Sequence, residues 1–143
     1  MPPAIRLLRS EAEIAACFPL MRELRPHLAS PAEFIARWRR QARQGYRLAA
    51  LFAGTQAMAL AGFRVQDNLV HGRFLYVDDL VTSEASRRAG HGALLMAWLA
   101  HTARARGCGR LVLDTPLNNV LGHRFYYRHG LVATALRFMM PVE

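Results

Sequence analysis

The chain contains no lysine, only two cysteines and no long apolar run. All 19 basic residues are arginine, and 10 acidic residues leave a formal net charge of +9. Cys17 and Cys108 lie far apart in the sequence and fit no spacing typical of a metal or redox site. No window of 18 uninterrupted apolar residues occurs, which argues against a membrane-spanning helix. We therefore expect a fold that holds no metal, needs no disulfide and lies outside the membrane.

The overall composition is that of a globular protein. Apolar residues make up 52% of the chain and charged residues 20%, which is typical of a folded domain. A length of 143 residues suits one domain, so we expect residues 1–143 to fold together. The first residues lack the apolar core of a signal peptide and the cysteines suit a reducing compartment, so we expect a cytoplasmic location.

Hydrophobic periodicity and capping signals predict the element order β-α-α-β-β-β-α-β-α-β. This order indicates an α/β (α+β) layer structure with a mixed, mostly antiparallel sheet flanked by helices. The predicted strands cover residues 4–8, 46–52, 56–65, 71–82, 110–114 and 134–140. The predicted helices cover residues 10–24, 30–45, 90–106 and 119–129.

The most informative stretch lies between the long strand that ends at Thr82 and the helix that follows. It reads Arg-x-x-Gly-x-Gly from Arg87 to Gly92. A turn at a helix N-terminus presents backbone N–H groups that have no acceptor within the helix, and these groups bind anions. Glycine lets the backbone approach a phosphate closely, because it has no Cβ. The sequence therefore predicts a pyrophosphate-binding turn.

A second motif, Asn-x-x-Gly-x-x-Phe-Tyr-x-x-x-Gly-Leu, spans residues 119–131. Together with the first motif and the order of elements, it resembles the GNAT superfamily of acetyl-CoA-dependent N-acetyltransferases. The family's helix commonly reads Asn-x-x-Ala-x-x-Phe-Tyr-x-x-x-Gly-Phe, so Gly122 and Leu131 are mild departures. The resemblance implies the GNAT fold and acetyl-CoA as cosubstrate. It also implies transfer of an acetyl group to a primary amine, by direct attack in a ternary complex.

The resemblance also implies a set of cofactor-binding residues. The end of the long strand would hydrogen-bond the pantetheine arm through its backbone, with the Leu80 N–H as an oxyanion donor. The N–H groups of residues 88–93 would bind the CoA pyrophosphate, and two arginines would add charge-assisted bonds. Asn119 would either bind the pantetheine or cap its helix, Asn118 being the other candidate for the cap. The set comprises Leu80, Val81, Thr82, Arg87, Arg88, Ala89, Gly90, His91, Gly92, Ala93, Asn119 and Tyr126.

Two residues are predicted to carry the chemistry. The resemblance implies that Tyr126 is the general acid that protonates the departing thiolate. The attacking amine must lose a proton, and Asp78 and Asp79 interrupt an otherwise apolar strand. Strand alternation places Asp78 on the face of Leu80, so we favour Asp78 as the base, whereas a bulge would reverse this argument. A salt bridge to an arginine is the structural alternative for either carboxylate.

Other functions stay open at this stage. One is a CoA-binding protein of the GNAT fold without catalysis, and another is an arginine-rich module that binds nucleic acid or an acidic partner. The dispersed arginines argue against a nucleic-acid surface. The acceptor is expected to be a small-molecule or peptide amine. Arg37, Arg40 and Arg43 either favour an acidic group on the acceptor or form a solvated face, and the exposed last strand predicts a homodimer.

Overall fold

A computed structural model gives the fold and describes residues 3–143, so Met1 and Pro2 of the predicted domain lie outside the described residues. The strands are β1 (Ala4–Leu7), β2 (Arg47–Ala53), β3 (Gln56–Asn68), β4 (Gly72–Thr82) and β5 (Arg110–Leu113). The helices are α1 (Glu11–Ala16), α2 (Phe18–Leu24), α3 (Pro31–Ala42), α4 (His91–Ala105) and α5 (Val120–Arg128). A 3-10 turn covers Glu84–Ser86. The chain divides into two compact units, one up to Val112 and one from Leu113.

The strands form one sheet in the order β1-β2-β3-β4-β5. The pairs β1/β2, β2/β3 and β3/β4 are antiparallel. Short turns join β2 to β3 and β3 to β4, so consecutive strands pair as neighbours. The α/β class and the sheet flanked by helices are thereby confirmed.

Helix α1 begins at a capping box. The Glu13 N–H donates to Ser10 Oγ at 3.2 Å, and Glu13 Oε1 accepts from the Ser10 N–H at 3.2 Å. The Arg9 N–H and the Arg6 guanidinium also bind this carboxylate and lower the pKa of Glu13 to about 2. The ionised carboxylate therefore adds stability above its usual pKa of 4.5, and this contribution is lost as the pH falls through about 2.

The predicted single helix over residues 10–24 is wrong, because the chain forms two helices that meet at Cys17. Pro19 lies in the first turn of α2. Proline has no N–H to donate, and its ring clashes with the carbonyl four residues earlier, so an uninterrupted helix cannot pass through this position. The first turn of a new helix accepts proline without either penalty.

The two faces of the sheet carry separate apolar layers. Helices α1–α3 pack on the face that holds Leu60, where Tyr46 and Val81 join a cluster with their buried side chains. Phe63 lies an odd number of residues from Leu60 and therefore points to the opposite face. There it packs edge-on against Trp98 of α4, with 5.7 Å between the ring centroids. These layers fix β3 and β4 from both sides.

The predicted strand at residues 134–140 is also wrong, since residues 131–143 contain no helix or strand. The alternation of Leu136, Phe138 and Met140 imitates the pattern of a half-buried strand. A strand, however, needs a neighbouring backbone for its hydrogen bonds, and alternation alone does not supply one. The Phe138 side chain is accordingly 89% exposed.

Replacing the cap of α1 tests its contribution. We expect Ser10→Ala to lower the free energy of unfolding by about 1 kcal/mol, because the Glu13 N–H loses its acceptor. Urea denaturation monitored by circular dichroism measures this change. Ser83 precedes the 3-10 turn without a side-chain cap bond, so Ser83→Ala is the control, with an expected change below about 0.5 kcal/mol. Equal effects of the two substitutions would contradict the assigned cap.

Candidate active site around strand β4

Strand β4 contains a β-bulge at Asp78. Asp79 lies opposite Gly62 of β3 and Val77 lies opposite Phe63, so Asp78 has no residue of β3 opposite it. An extra residue of this kind bends the strand and redirects the neighbouring side chains. The bulge therefore falls within the pair of carboxylates that the sequence singled out.

The bulge overturns the predicted alternation. The side chain of Asp79 points to the same face of the sheet as Gly62, the residue of β3 paired with it. The side chain of Leu80 points to the opposite face, as does the residue of β3 paired with Leu80. Asp78 Oδ2 accepts a hydrogen bond from Arg64 Nε at 3.2 Å, and Arg64 lies two residues from Gly62 on the same face. Both carboxylates therefore lie on the face covered by α1–α3, and the expectation that Asp78 shares the face of Leu80 is wrong.

Asp79 is held by two donors, which we call the Asp79 clamp (Tyr46, Arg25 and Asp79). The Tyr46 hydroxyl donates to Oδ2 at 2.7 Å, and Arg25 Nε donates to Oδ1 at 3.0 Å. Arg25 follows α2 directly and also donates from Nη2 to the carbonyl oxygen of Asp78 at 3.0 Å. The clamp therefore binds both the side chain of Asp79 and the backbone of the bulge.

Gly62 allows the clamp to form. A Cβ at this position would lie 2.0 Å from the hydroxyl oxygen of Tyr46 and 2.6 Å from Cζ. Tyr46 is only 3% exposed, so its ring has little room to move away. Burial, followed by the negative charge of Asp79, raises the pKa of Tyr46 well above its ordinary value. The phenol therefore stays protonated and acts as a permanent donor.

Asp78 is the less constrained carboxylate of the two. Burial raises the pKa of Asp78 above its ordinary value, and the ion pair with Arg64 opposes this shift without cancelling it. The Asp78 side chain is 18% exposed to solvent. A carboxylate that is partly accessible and holds a proton more readily than usual can accept and release a proton.

At the carboxyl end of β4, some backbone N–H and C=O groups do not bond to β3 and face the opposite edge of the strand. The Ser83 N–H donates to the Met58 carbonyl at 2.8 Å. Antiparallel ladders alternate, so Val81 also bonds towards β3, whereas the backbone groups of Leu80 and Thr82 face the other edge. Of the three strand residues predicted to hydrogen-bond pantetheine, Leu80 and Thr82 therefore present N–H and C=O groups along this edge. The backbone of Val81 instead faces β3, so the expectation that it bonds pantetheine is wrong.

Strand β5 covers only the beginning of that edge. The Gly109 N–H donates to the Arg73 carbonyl at 3.0 Å, so β5 starts beside the start of β4. Its four residues span roughly 13 Å, whereas the seven residue steps from Arg73 to Leu80 span roughly 23 Å. Among the described residues, no strand therefore covers the edge at Leu80.

The turn between β4 and α4 has an unusual backbone. Arg88 has a φ of 77° and is the one non-glycine residue with positive φ in the described part of the chain. Gly90 has a φ of 82°, and a Cβ built there would meet no atom within 4 Å. The Ala89 N–H donates to the Ser86 carbonyl at 3.1 Å, so the expectation that Ala89 offers a free donor is wrong.

Helix α4 begins immediately after this turn. The first hydrogen bond of the helix is donated by the Leu94 N–H to the Gly90 carbonyl oxygen at 3.2 Å. No hydrogen bond among residues 3–143 uses the N–H groups of His91, Gly92 or Ala93, as expected for the first turn of a helix. The side chains of Arg87 and Arg88 are exposed beside them. This end of α4 therefore combines free donors with positive charge.

The second unit contains the other predicted site residues. Asn119 caps α5, because its Oδ1 accepts from the Gly122 N–H at 3.2 Å and its Nδ2 donates to Thr115 Oγ1 at 3.0 Å. The cap therefore falls on Asn119 rather than Asn118. Tyr126 is half-buried on the same helix, and burial raises its pKa above the ordinary value.

Several site residues were not found from the sequence. Tyr46, Arg25 and Arg64 come from three separate segments and meet only because β2, α2 and β3 pack around the bulge. The available signal was Gly62, since a glycine within an apolar strand indicates a bulge or a close approach. No three histidine, cysteine, aspartate or glutamate side chains within residues 3–143 are grouped to hold a metal. Nor do these residues include a helix that could cross a bilayer.

The chain belongs to the acetyltransferase (GNAT) family, whose model matches residues 11–131. It is thus a GNAT-family N-acetyltransferase. An uncharacterised N-acetyltransferase of Bacillus subtilis (strain 168), YhdJ, is 30% identical over 139 residues, which cover 96% of this chain and 98% of YhdJ.

Solved structures share the fold at lower identity. The ribosomal-protein-alanine N-acetyltransferase of Brucella melitensis biovar Abortus 2308 has a TM-score of 0.82 at 22% identity, with 99% of this chain and 100% of that one covered. AAC(6')-Iy, in complex with the bisubstrate analogue CoA-S-monomethyl-acetylneamine, has a TM-score of 0.84 at 15% identity, with 100% and 99% covered.

Adding a Cβ at residue 62 tests the close approach of Tyr46. We expect Gly62→Ala to lower the free energy of unfolding by about 1–3 kcal/mol, because the buried ring must move and the clamp must distort. Gly109→Ala is the control, since a Cβ there meets no atom within 4 Å and its φ is not positive. Urea denaturation of both variants measures the difference. A Gly62→Ala variant as stable as Gly109→Ala would contradict this packing.

Proposed function

We propose that this chain transfers an acetyl group from acetyl-CoA to a primary amine, by direct attack in a ternary complex. The observation that carries the proposal is the uncovered edge of β4, which leads directly into a helix N-terminus with free donors. A linear cofactor with amides at one end and phosphates at the other fits this sequence of groups. The fold neighbour AAC(6')-Iy was crystallised with CoA, which supports the same cofactor here.

The turn and the start of α4 are proposed to bind the pyrophosphate. The donors are the backbone N–H groups of Arg88 and of residues 90–93, without the occupied group of Ala89. The positive end of the helix dipole favours the phosphate charge. The exposed guanidinium groups of Arg87 and Arg88 would add charge-assisted hydrogen bonds.

The end of β4 is proposed to bind the pantetheine arm. Leu80 and Thr82 would exchange backbone hydrogen bonds with its amides, as an added strand does, while Val81 anchors the strand through its buried side chain. The Leu80 N–H would donate to the thioester carbonyl oxygen and stabilise the negative charge that develops there. Because the side chain of Leu80 faces away from both aspartates, its backbone carries this role.

Tyr126 is proposed as the general acid. Its raised pKa keeps the phenol protonated through the neutral range, so it can donate to the departing thiolate. The role itself comes from the family motif at residues 119–131. Asn119 uses one oxygen lone pair to cap its helix and one amide hydrogen to bond Thr115. Its second amide hydrogen and second lone pair are proposed to bind pantetheine.

Asp78 is proposed as the base that takes the proton of the incoming amine. The argument no longer rests on a shared face with Leu80. It rests on the raised pKa of Asp78 and on its partial exposure, whereas Asp79 is engaged by the clamp. A small-molecule or peptide amine as acceptor, a homodimer and a cytoplasmic location stay predictions.

A carboxylate in the turn tests the pyrophosphate site. We expect Gly90→Asp to abolish acetyl-CoA binding in a calorimetric titration, because negative charge would repel the phosphates. Gly90→Asn has nearly the same size without the charge and should retain part of the affinity. Gly54→Asp is the control for strain, since Gly54 also has positive φ and open space. Unchanged affinity in Gly90→Asp would refute the site.

Removing one hydroxyl tests the general acid. Tyr126→Phe is expected to lower kcat by about 10- to 1000-fold, the range for losing one proton donor, with little change in acetyl-CoA affinity. The neighbouring Tyr127 is 58% exposed, and Tyr127→Phe is the matched control. Steady-state kinetics and calorimetry measure the two quantities. Wild-type turnover in Tyr126→Phe would leave this ring with a packing role alone.

The pH dependence of kcat/KM tests the base. A base must be ionised, so the rate should fall as the pH falls through the pKa of Asp78, above the usual aspartate range. We expect Asp78→Asn to remove this acidic limb of the pH profile, that is, the fall in rate at low pH, and to lower kcat/KM by about 100-fold. Asp79→Asn should keep the limb, although it weakens the clamp. The reverse order would make Asp79 the base.

A further inference from the structure

A cavity of about 400 Å³ lies along the end of α3, lined by Arg37, Arg40, Gln41 and Gln44. We call it the α3 cavity. Two of its residues carry guanidinium groups, which are permanently charged and have no acceptor atom. Arg37 uses Nε to pair with Glu33 at 3.2 Å, which leaves its two terminal nitrogen atoms for another partner. Arg40 forms no ion pair among the described residues.

The two glutamines of the cavity are oriented by Arg64. Arg64 Nη1 donates to Gln44 Oε1 at 3.1 Å, and Nη2 donates to Gln41 Oε1 at 3.2 Å. Both carboxamide oxygens are therefore engaged by a cation. The Gln41 NH₂ group donates to the Arg37 carbonyl oxygen at 3.4 Å, which leaves the Gln44 NH₂ group for another partner. The lining of the α3 cavity consequently combines hydrogen-bond donors with two positive charges.

The same arginine links the cavity to the proposed base. While its terminal nitrogens hold the glutamines, Arg64 Nε donates to Asp78 Oδ2 at 3.2 Å. One planar guanidinium thus spans the two places, so the amide oxygens of Gln41 and Gln44 lie within about 10 Å of the Asp78 carboxylate. An acceptor with its amine near Asp78 would therefore reach the α3 cavity through a spacer of up to about eight bonds.

We propose that the α3 cavity binds an anionic oxygen group, a carboxylate or a phosphate, carried by the acceptor amine. This inference rests on the proposed acetyl transfer and names the class of acceptor. Guanidinium groups bind both anions through paired, charge-assisted hydrogen bonds, and the NH₂ group of Gln44 adds a neutral donor. A cationic group in the same place would be repelled by the two guanidinium charges, and an apolar group would offer these donors no acceptor.

Matched acceptors test the preference. Initial rates are measured with ω-amino carboxylates, ω-aminoalkyl phosphates and unsubstituted alkylamines of equal chain length, all at one ionic strength. We expect KM to be at least about 10-fold lower for one anionic series than for the alkylamines, as one well-formed ionic contact provides. The better of the two anionic series identifies the group. Equal KM values for anionic and neutral acceptors would overturn the inference.

Arginine variants assign the preference to the cavity. In Arg40→Gln, the KM for the neutral acceptors divided by the KM for the anionic acceptors should fall towards one. Arg43→Gln is the matched control, because Arg43 directly follows α3 and is exposed but does not line the cavity. Both variants lose one positive charge, so a general field effect would change both ratios alike. An equal change in both variants would contradict the site.

A binding measurement separates this inference from the proposed function. Inorganic phosphate is titrated into the wild type and both variants while the amide spectra are recorded. We expect shifts at residues 37–44 in the wild type and in Arg43→Gln, with their loss in Arg40→Gln. Failure of acetyl-CoA binding or of all amine acetylation would refute the proposed function, whereas absence of these phosphate shifts would refute the cavity as an anion site.

Discussion

The hydrogen bond from the Tyr46 hydroxyl to Asp79 is the contact on which the arrangement of β4 depends. It forms only because Gly62 leaves room for the ring, and it fixes the residue that follows the bulge. Arg25 strengthens the same point from α2. One buried phenol therefore holds Asp79 in place directly after the bulge and just before the free edge at Leu80 and Thr82.

The acidic side chains of β4 are each paired with an arginine, although basic residues far outnumber acidic ones in this chain. The two aspartates in β4 each have an arginine partner, and the arginine bound to Asp78 also orients Gln41 and Gln44. A chain with a formal net charge of +9 has few carboxylates to distribute. Placing two of them in one bulge, each beside an arginine, therefore offsets positive charge at this point of a chain that is otherwise strongly basic.

Local signals predicted most of the elements, whereas contacts distant in sequence decided the site. The capping box at Ser10 located the start of α1, and Gly90 located the start of α4. The interruption at Pro19 was also readable, but the periodicity on either side of it concealed the break. Gly62 indicated a bulge or a close approach, but not which residue of β4 is the extra one, and the tyrosine that approaches Gly62 and bonds Asp79 lies 33 residues away from that aspartate. The alternating apolar residues after 131 indicated a strand for which propensity alone supplies no pairing partner.

Glycine at position 122 has a consequence for the asparagine three residues before it. A Cβ at 122 would lie 2.3 Å from Asn119 Nδ2, so the capping rotamer of Asn119 is compatible with glycine and excludes alanine. An alanine at this position would force the Asn119 side chain to turn away from the N–H of residue 122. Residue 122 therefore controls the rotamer of Asn119, and a single methyl group decides whether this amide can cap its own helix.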